Sequence, residues 1–550
     1  MTTPATSDFD TVVAGVSTGS TTGETGSAAE DPEETGSRHD HWFARQSTAV
    51  QRLLRWGSPA LVVVIAAFAR LFNLGHPGVL VFDETFYVKD AWTLHNLGYE
   101  SSWPAEADAL FNAGQTDVYY SDPSFVVHPP LGKWLISLGM AALGPDNPVG
   151  WRISTAIVGI LAVVLIMVVA RLLFRSTLLA TIAGLLFAID GNAIVMSRVG
   201  LLDNFVMLFA LLGFAAILLD RQWSALRLAM WIAAREKRGR PIDWGPALWW
   251  RPWLIAAGAA FGAASAVKWN GLYFLAAFAV YTLVVDAVAR RRAGIPFWLS
   301  GTIFKQAPTT FLLTVPIAVA VYLTAWTGWF VTDNGYSRHW ADSADNAWTG
   351  ALAWVPHTLQ SFWHFEVAVY NYNVGESRPH AYQANPLTWL LMVRPTSMYY
   401  QGYSAGENGC TSMCGESIAG IANPIIWWGA TAAVLYLTYR LVRYREWRVG
   451  LVLAGVAAGY LPWMLYLGRT VFQFYTIAFE PYLILALTLV IGMIVGSARD
   501  PSWRRTSGIR TVLIYLGVAV AVSVFFWPVW TAGQLDYFWL SAHWWLPTWR

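Results

Sequence analysis

SPALVVVIAAFARLFNLGHPGVLVFDETFYVKD (residues 58–90) changes character part-way along. Residues 58–75 are apolar apart from Arg70 and a few small polar residues, and the run is about as long as a membrane span of roughly 20 residues. Shortly afterwards two carboxylates, Asp83 and Glu84, stand side by side. The fold turns on whether this run is a lone anchor or the first of many, and the function on why two acids follow it.

Outward from this stretch, comparable runs recur at 151–171, 177–190, 201–220, 252–268, 271–289, 308–330, 423–441, 449–467, 474–495 and 511–530, with the first span drawn as 56–75. They predict an all-α integral membrane protein with about eleven transmembrane helices. Composition agrees. Of 550 residues, 56% are hydrophobic and only 13% charged, against about 25% charged in an ordinary soluble domain. The 32 Trp suit the water–bilayer boundary, where Trp and Tyr collect.

Charge gives the orientation. Arg45, Arg52 and Arg55 precede the first run, and Arg171, Arg175, REKRGR (235–240), ARRR (289–292), RLVRYREWR (440–448) and RDPSWRR (499–505) occupy every second connection. Basic loops stay in the cytoplasm, so the expectation is a multi-pass plasma-membrane protein with a cytoplasmic N-terminus. The other connections include two long ones, 76–150 and 331–422, which are then extracytoplasmic. The expected organisation is a polytopic domain over 49–550 behind a tail, 1–48, whose Gly, Ser, Thr and acidic content predicts disorder. No basic segment and short apolar core mark a signal peptide there. No nucleotide-binding pattern is seen, and no nucleic-acid partner is expected. Cys410 and Cys414, in CTSMC, are expected to form a small local disulfide on the oxidising side.

The first long loop has helical spacing in two places. Tyr87, Ala91, Leu94 and Gly98 share a face, as do Leu131, Trp134, Leu135, Leu138 and Ala142 behind Pro129 and Pro130. Both read as interfacial helices lying along the membrane. An acid pair at the start of the first would complement its dipole. Yet the same side of the membrane collects Arg70, His128, Lys133, Arg152, Arg198, Lys268 and Arg469, together with Asp190 and Asp203. Ionisable groups near the bilayer core are costly and pair with something. Cations gathered on the side where Lys and Arg are usually depleted point to an anionic target, a lipid phosphate. Acids beside them suit a general base for a hydroxyl. The aromatics of WHFEVAVYNYN (363–373) and SMYYQGY (397–403) read as packing.

With these residues in view, the chain resembles the protein O-mannosyltransferases of the GT-C glycosyltransferase class, in their bacterial form. The resemblance rests on Arg70 fourteen residues before Glu84, FDE (82–84), HPPLGK (128–133), Arg152, SRVGLLDN (197–204) and SAVKWNGLYF (265–274), in that order on this topology. It implies a polyprenyl-phosphate-mannose donor, Ser/Thr-rich exported proteins as acceptors, and inverting transfer. It also implies that Asp83 and Glu84 line the active site and that Arg70 and Arg152 matter for function. Eukaryotic members carry a large domain in the loop corresponding to 331–422, which is too short here to hold one. Many relatives have an acid two residues before the histidine of HPP, where this chain has Val126.

The chemistry is consistent with that assignment. A glycosyl phosphate already has a good leaving group, so it needs cations more than a general acid. Glycosidases straddle the bond with carboxyls about 5–9.5 Å apart, which neighbouring residues do not naturally do. One base and one orienting group is the better division, with Asp83 as base and Glu84 as orienter, or the reverse. His128, Lys133, Arg198, Lys268 and Arg469 join Arg70 and Arg152 as expected substrate-binding residues. No HExxH or clustered ligand set is present, so neither metal nor cofactor is expected. The competing readings are another GT-C enzyme using lipid-linked aminoarabinose or arabinose, and a transporter, although no internal repeat supports the latter.

Overall fold

The computed structural model describes residues 45–497 and 499–550. The tail expected over 1–48 falls, up to residue 44, outside the described residues. Ser47 opens the ordered chain by accepting a 3.3 Å hydrogen bond from Val50 N, capping helix α1 (Thr48–Leu71).

Each of the eleven apolar runs contains a helix, but their lengths differ. Among the described residues, eight helices are long and apolar enough to cross a membrane: α1, α4 (Pro148–Phe174), α6 (Asp203–Glu236), α8 (Gly271–Arg292), α9 (Trp298–Ala325), α11 (Pro424–Tyr444), α12 (Trp447–Tyr466) and α14 (Ser502–Trp530). Three more, α5 (Thr177–Ile189), α7 (Pro252–Val267) and α13 (Glu480–Val495), are shorter, at 13, 16 and 16 residues. Polar residues end two of them, and a 3₁₀ turn (Gln473–Ala478) takes up the start of the run that holds α13. Asp190 ends α5 and caps the next turn by accepting from Asn192 N at 2.9 Å, and Lys268 ends α7 in an extended conformation.

Helix starts follow their local sequence. Asn147 before Pro148 accepts from Val149 N at 3.0 Å, and Asn423 before Pro424 accepts from Ile425 N at 3.0 Å. Both pair a capping Asn with a proline whose missing N–H costs nothing at the first helical position. Helix α13 is apolar on every face and buried along nearly its whole length, as expected of a helix at the centre of a bundle. Helices α5, α11, α12 and α14 pack against it, and α6, α7 and α9 form an adjoining layer.

The first long loop carries the two expected helices, α2 (Glu84–Leu97) and α3 (Leu131–Leu143), packed on one another, with α3 also on α4. Helix α2 ends at Gly98 with φ of 82°. A side chain at that glycine would meet Thr332 Cγ2 at 3.0 Å, so the first long loop sits tightly on the start of the second. The second long loop folds into α10 (His357–Gly375) and then a hairpin of β1 (Ser397–Tyr403) and β2 (Cys414–Ala419). A two-residue strand, β3 (Leu535–Asp536), completes an antiparallel sheet in the order β1-β2-β3. The sheet is a small addition to the expected all-α architecture. The hairpin finds its third strand, paired with β2, more than a hundred residues away, beyond the reach of local pattern. Cys410 is joined by a disulfide to Cys414, the first residue of β2.

Candidate active site

Asp83 and Glu84 face different surroundings, and the turn before them is the reason. Phe82 adopts φ of 47°, a left-handed conformation that is uncommon for a bulky residue. Its ring is held edge-on by His380, Phe472 and Phe474 at 5.9, 5.6 and 5.7 Å. Asp83 then occupies the N-cap position of α2, but its side chain makes no capping hydrogen bond. Its carboxylate lines a polar cavity of about 450 Å³ instead.

Glu84 turns into the protein and is fully buried. It accepts from Arg152 Nε at 2.8 Å and Nη2 at 2.8 Å, from Val81 N at 2.9 Å and from Gly200 N at 2.7 Å. Four donors satisfy both oxygens. Arg152 also donates to the carbonyls of Pro77 at 2.8 Å and Val79 at 2.9 Å. Arg198 donates to the carbonyls of Phe72 at 2.7 Å and Asn73 at 3.2 Å. Arg70 donates to those of Ala188 at 3.0 Å and Phe187 at 3.2 Å. These three arginines, expected from sequence at a phosphate, line neither cavity. Two of them clip the backbone of the 72–79 connection that carries Asp83.

The other expected residues do converge. A second cavity, of about 690 Å³, runs between α7, α8, α9 and α10 with mostly apolar walls such as Leu272, Val315, Val319 and Val367. Its polar end holds His128, Asp203, Lys268 and Arg469. The two cavities share Val127, His128, Asn373, Arg469 and Tyr475 as a common wall. Arg469 donates to Asn373 Oδ1 at 2.9 Å, and its Nε, although buried, has no partner among the described residues. Lys268 is paired with Asp203 at 2.7 Å and lies 4.7 Å from the Tyr475 ring centre. Lys133 lines the polar cavity but is tied to Glu100.

Burial raises the Asp83 carboxyl to about 6, with Lys268 opposing the rise, Asp203 adding to it, and the hydrogen-bonding Tyr87 hydroxyl opposing it. This places a carboxyl poised near neutrality on an open wall, the condition a general base needs. Burial, with Lys268, Arg469 and Lys133 nearby, holds His128 well below the usual histidine range, so it is neutral.

Sequence reasoning missed several wall residues. Asp90 lines the polar cavity seven residues after Asp83 on α2, a helical spacing that was legible. Glu366, in the apolar cavity, accepts from the Tyr322 hydroxyl at 2.8 and 2.9 Å, and Tyr322 in turn accepts from Trp269 Nε1 at 3.0 Å. Burial raises the Glu366 carboxyl to about 7. Trp363, Tyr370 and Tyr372, read as packing, also line the cavities.

Comparison with known proteins agrees with this architecture. Residues 60–331 match the family model of dolichyl-phosphate-mannose-protein mannosyltransferases, and residues 358–549 match the C-terminal four-transmembrane region of protein-O-mannosyltransferases. A polyprenol-phosphate-mannose–protein mannosyltransferase of Mycolicibacterium smegmatis is 33% identical over 510 residues, 91% of this chain and 94% of the relative. One of Corynebacterium glutamicum with the same description is 28% identical, over 90% of this chain and 93% of the relative. The fold is also that of the Saccharomyces cerevisiae protein O-mannosyltransferase Pmt1-Pmt2 complex bound to the sugar donor, with a TM-score of 0.66 at 16% identity, over 94% of this chain and 95% of that one. By fold the chain is a GT-C membrane protein, and it belongs to the protein mannosyltransferase family.

Proposed function

We propose that this chain transfers mannose from a polyprenyl-phosphate-mannose donor to Ser or Thr hydroxyls of exported proteins, on the extracytoplasmic face of the plasma membrane. The observation that carries the reading is the pair of cavities with a common wall. One is apolar and ends in Lys268 and Arg469; the other is polar and presents Asp83. An amphiphilic phosphate fits the first and a peptide the second, and their reacting ends meet at the wall.

In this reading the prenyl chain lies along the apolar cavity, and Lys268 and Arg469 face the phosphate. Asp83 takes the proton of the acceptor hydroxyl as its oxygen attacks C1 of mannose. The C1–O bond to phosphate breaks on the opposite side, so configuration inverts, and polyprenyl phosphate leaves with its new charge beside the two cations. No general acid is required, because the leaving phosphate is a weak base. Glu84 acts by position. With Arg152 it fixes the turn that aims Asp83, which differs from the peptide-orienting role expected from sequence. The side of action rests on the basic connections at 171–175, 235–240, 289–292, 440–448 and 499–505.

The test is a transfer assay with labelled polyprenyl-phosphate-mannose, membranes carrying the protein and a Ser/Thr-rich peptide. The expected result is base-labile label in the peptide. Label appearing only in lipid or glycan would favour another GT-C activity. Movement of donor across the membrane without covalent transfer would favour a transporter.

A further inference from the structure

Resting on the proposed transfer reaction, the geometry of α2 says more about the acceptor. Asp83, Tyr87 and Asp90 are spaced i, i+4 and i+7, so they share one helix face, and all three line the polar cavity. Asp90 is unlike the structural acids of this protein. Its nearest cation, Lys133, stands 3.8 Å away and is closer to Glu100, with which it forms the tighter ion pair. Among the described residues no group donates a hydrogen bond to the Asp90 carboxylate, whereas Glu84 receives four. Asp90 and Glu100 thus share one cation, and the neighbouring Lys89 is engaged by Asp108 at 2.6 Å, which leaves Asp90 with acceptor capacity towards the cavity. Burial raises the Asp90 carboxyl to about 7, with Lys133 opposing and Glu100 adding, as expected of an acid whose own protein gives it too few donors.

We propose that Asp90 binds the acceptor peptide, taking an N–H donor that lies about three residues from the hydroxyl that Asp83 activates. The spacing follows from the helix. Seven residues at about 1.5 Å rise separate the two carboxylates by roughly 10 Å along α2, and an extended chain covers that in about three residues at 3.3–3.6 Å each. A peptide laid along this face reaches Asp83 with its reacting residue and Asp90 with a backbone amide or a Lys or Arg side chain. Tyr87, between the two, offers a flat apolar surface to the intervening residue. Acceptor choice is thereby set by helix α2 of the first loop, without a separate peptide-binding domain.

The experiment measures peptide and donor kinetics for the wild type, Asp90→Ala and Asp90→Asn in the full-length membrane protein. The peptide carries one acceptor Thr, with single N-methylated amides or single Lys→Gln changes at successive positions on either side. Asp90→Ala should raise the peptide KM about tenfold or more. The donor KM, and the turnover at saturating peptide, should stay within about twofold. One substitution about three residues from the Thr should weaken the wild type. The same substitution should have no effect on Asp90→Ala. Sensitivity to N-methylation identifies a backbone amide as the donor, and sensitivity to Lys→Gln a side chain. Asp90→Asn keeps the shape and one acceptor oxygen but loses the charge, so it should show a smaller KM rise with a reduced sensitivity, and it decides the matter if Asp90→Ala does not fold. An unchanged peptide KM in the folded variants, or a substitution profile identical to the wild type, overturns the proposal while leaving transfer itself intact. Absence of any transfer by the wild type would instead count against the proposed function.

Discussion

Glu84 and Arg152, 68 residues apart in sequence, form a two-point ion pair with both contacts at 2.8 Å, and both side chains are fully buried. The pair separates two neighbouring acids into different tasks. Glu84 holds the turn, and Asp83 is left facing the cavity. Removing one partner strands a buried charge, which typically costs about 3–5 kcal/mol. Glu84→Ala and Arg152→Ala are therefore expected to lower the thermal unfolding midpoint in detergent markedly. The double variant should cost less than the sum of the two single ones, because neither charge is then left alone, although the bonds of Glu84 to Val81 N and Gly200 N and of Arg152 to the carbonyls of Pro77 and Val79 are lost as well.

Acidity gives an independent check on Asp83. Its carboxyl is raised to about 6, and the base form is the active one, so activity should fall as pH drops through that value. At pH 5 roughly a tenth of the neutral-pH rate should remain. The donor is a phosphodiester and stays charged throughout this range, and His128 stays neutral, so neither adds a limb. The measurement is donor kcat/KM at saturating peptide between pH 5 and 8. A flat profile would count against Asp83 as the base.

The cations should divide in the same way as the acids. Arg469 faces both cavities, is held by the neutral Asn373 and keeps an unpartnered Nε. Arg469→Gln is expected to leave the fold intact and raise the donor KM roughly tenfold to a hundredfold, the worth of a hydrogen bond to a charged group. Arg198→Gln removes clips on the carbonyls of Phe72 and Asn73. It should lower stability while the folded fraction keeps its donor KM. Donor titrations beside thermal melts distinguish the two behaviours.

Much of this architecture was legible because its signals are local. Apolar runs gave the helices and the paired prolines gave α3 its start, whereas Gly98, read as part of the face of α2, ends that helix. What local pattern cannot show is which cation meets which partner. Arg70, Arg152, Arg198, Lys133, Lys268 and Arg469 look alike as charges near a membrane. Only the folded chain reveals that three hold carbonyls or Glu84, while Lys133, Lys268 and Arg469 line the cavities. The ends of α5 and α7 were legible to within a residue, at Asp190 and Lys268, whereas α13 was overdrawn because Gln473–Ala478 form a 3₁₀ turn whose apolar content resembles the helix that follows. The aromatics of α10 read as packing because a wall of a cavity and a wall of a core have the same composition.

The central claim is that Asp83, rather than Glu84, activates the acceptor hydroxyl. Asp83→Asn keeps shape and hydrogen bonding but cannot accept a proton at neutral pH, and Asn would serve equally well as a helix cap. The decisive measurement is mannosyl transfer by purified Asp83→Asn protein from labelled donor to a Ser/Thr peptide, together with donor binding. The account predicts turnover reduced by about 10²–10⁴-fold, with donor affinity and unfolding midpoint close to wild type. A folded Asp83→Asn protein that transfers mannose at a near-normal rate would contradict it.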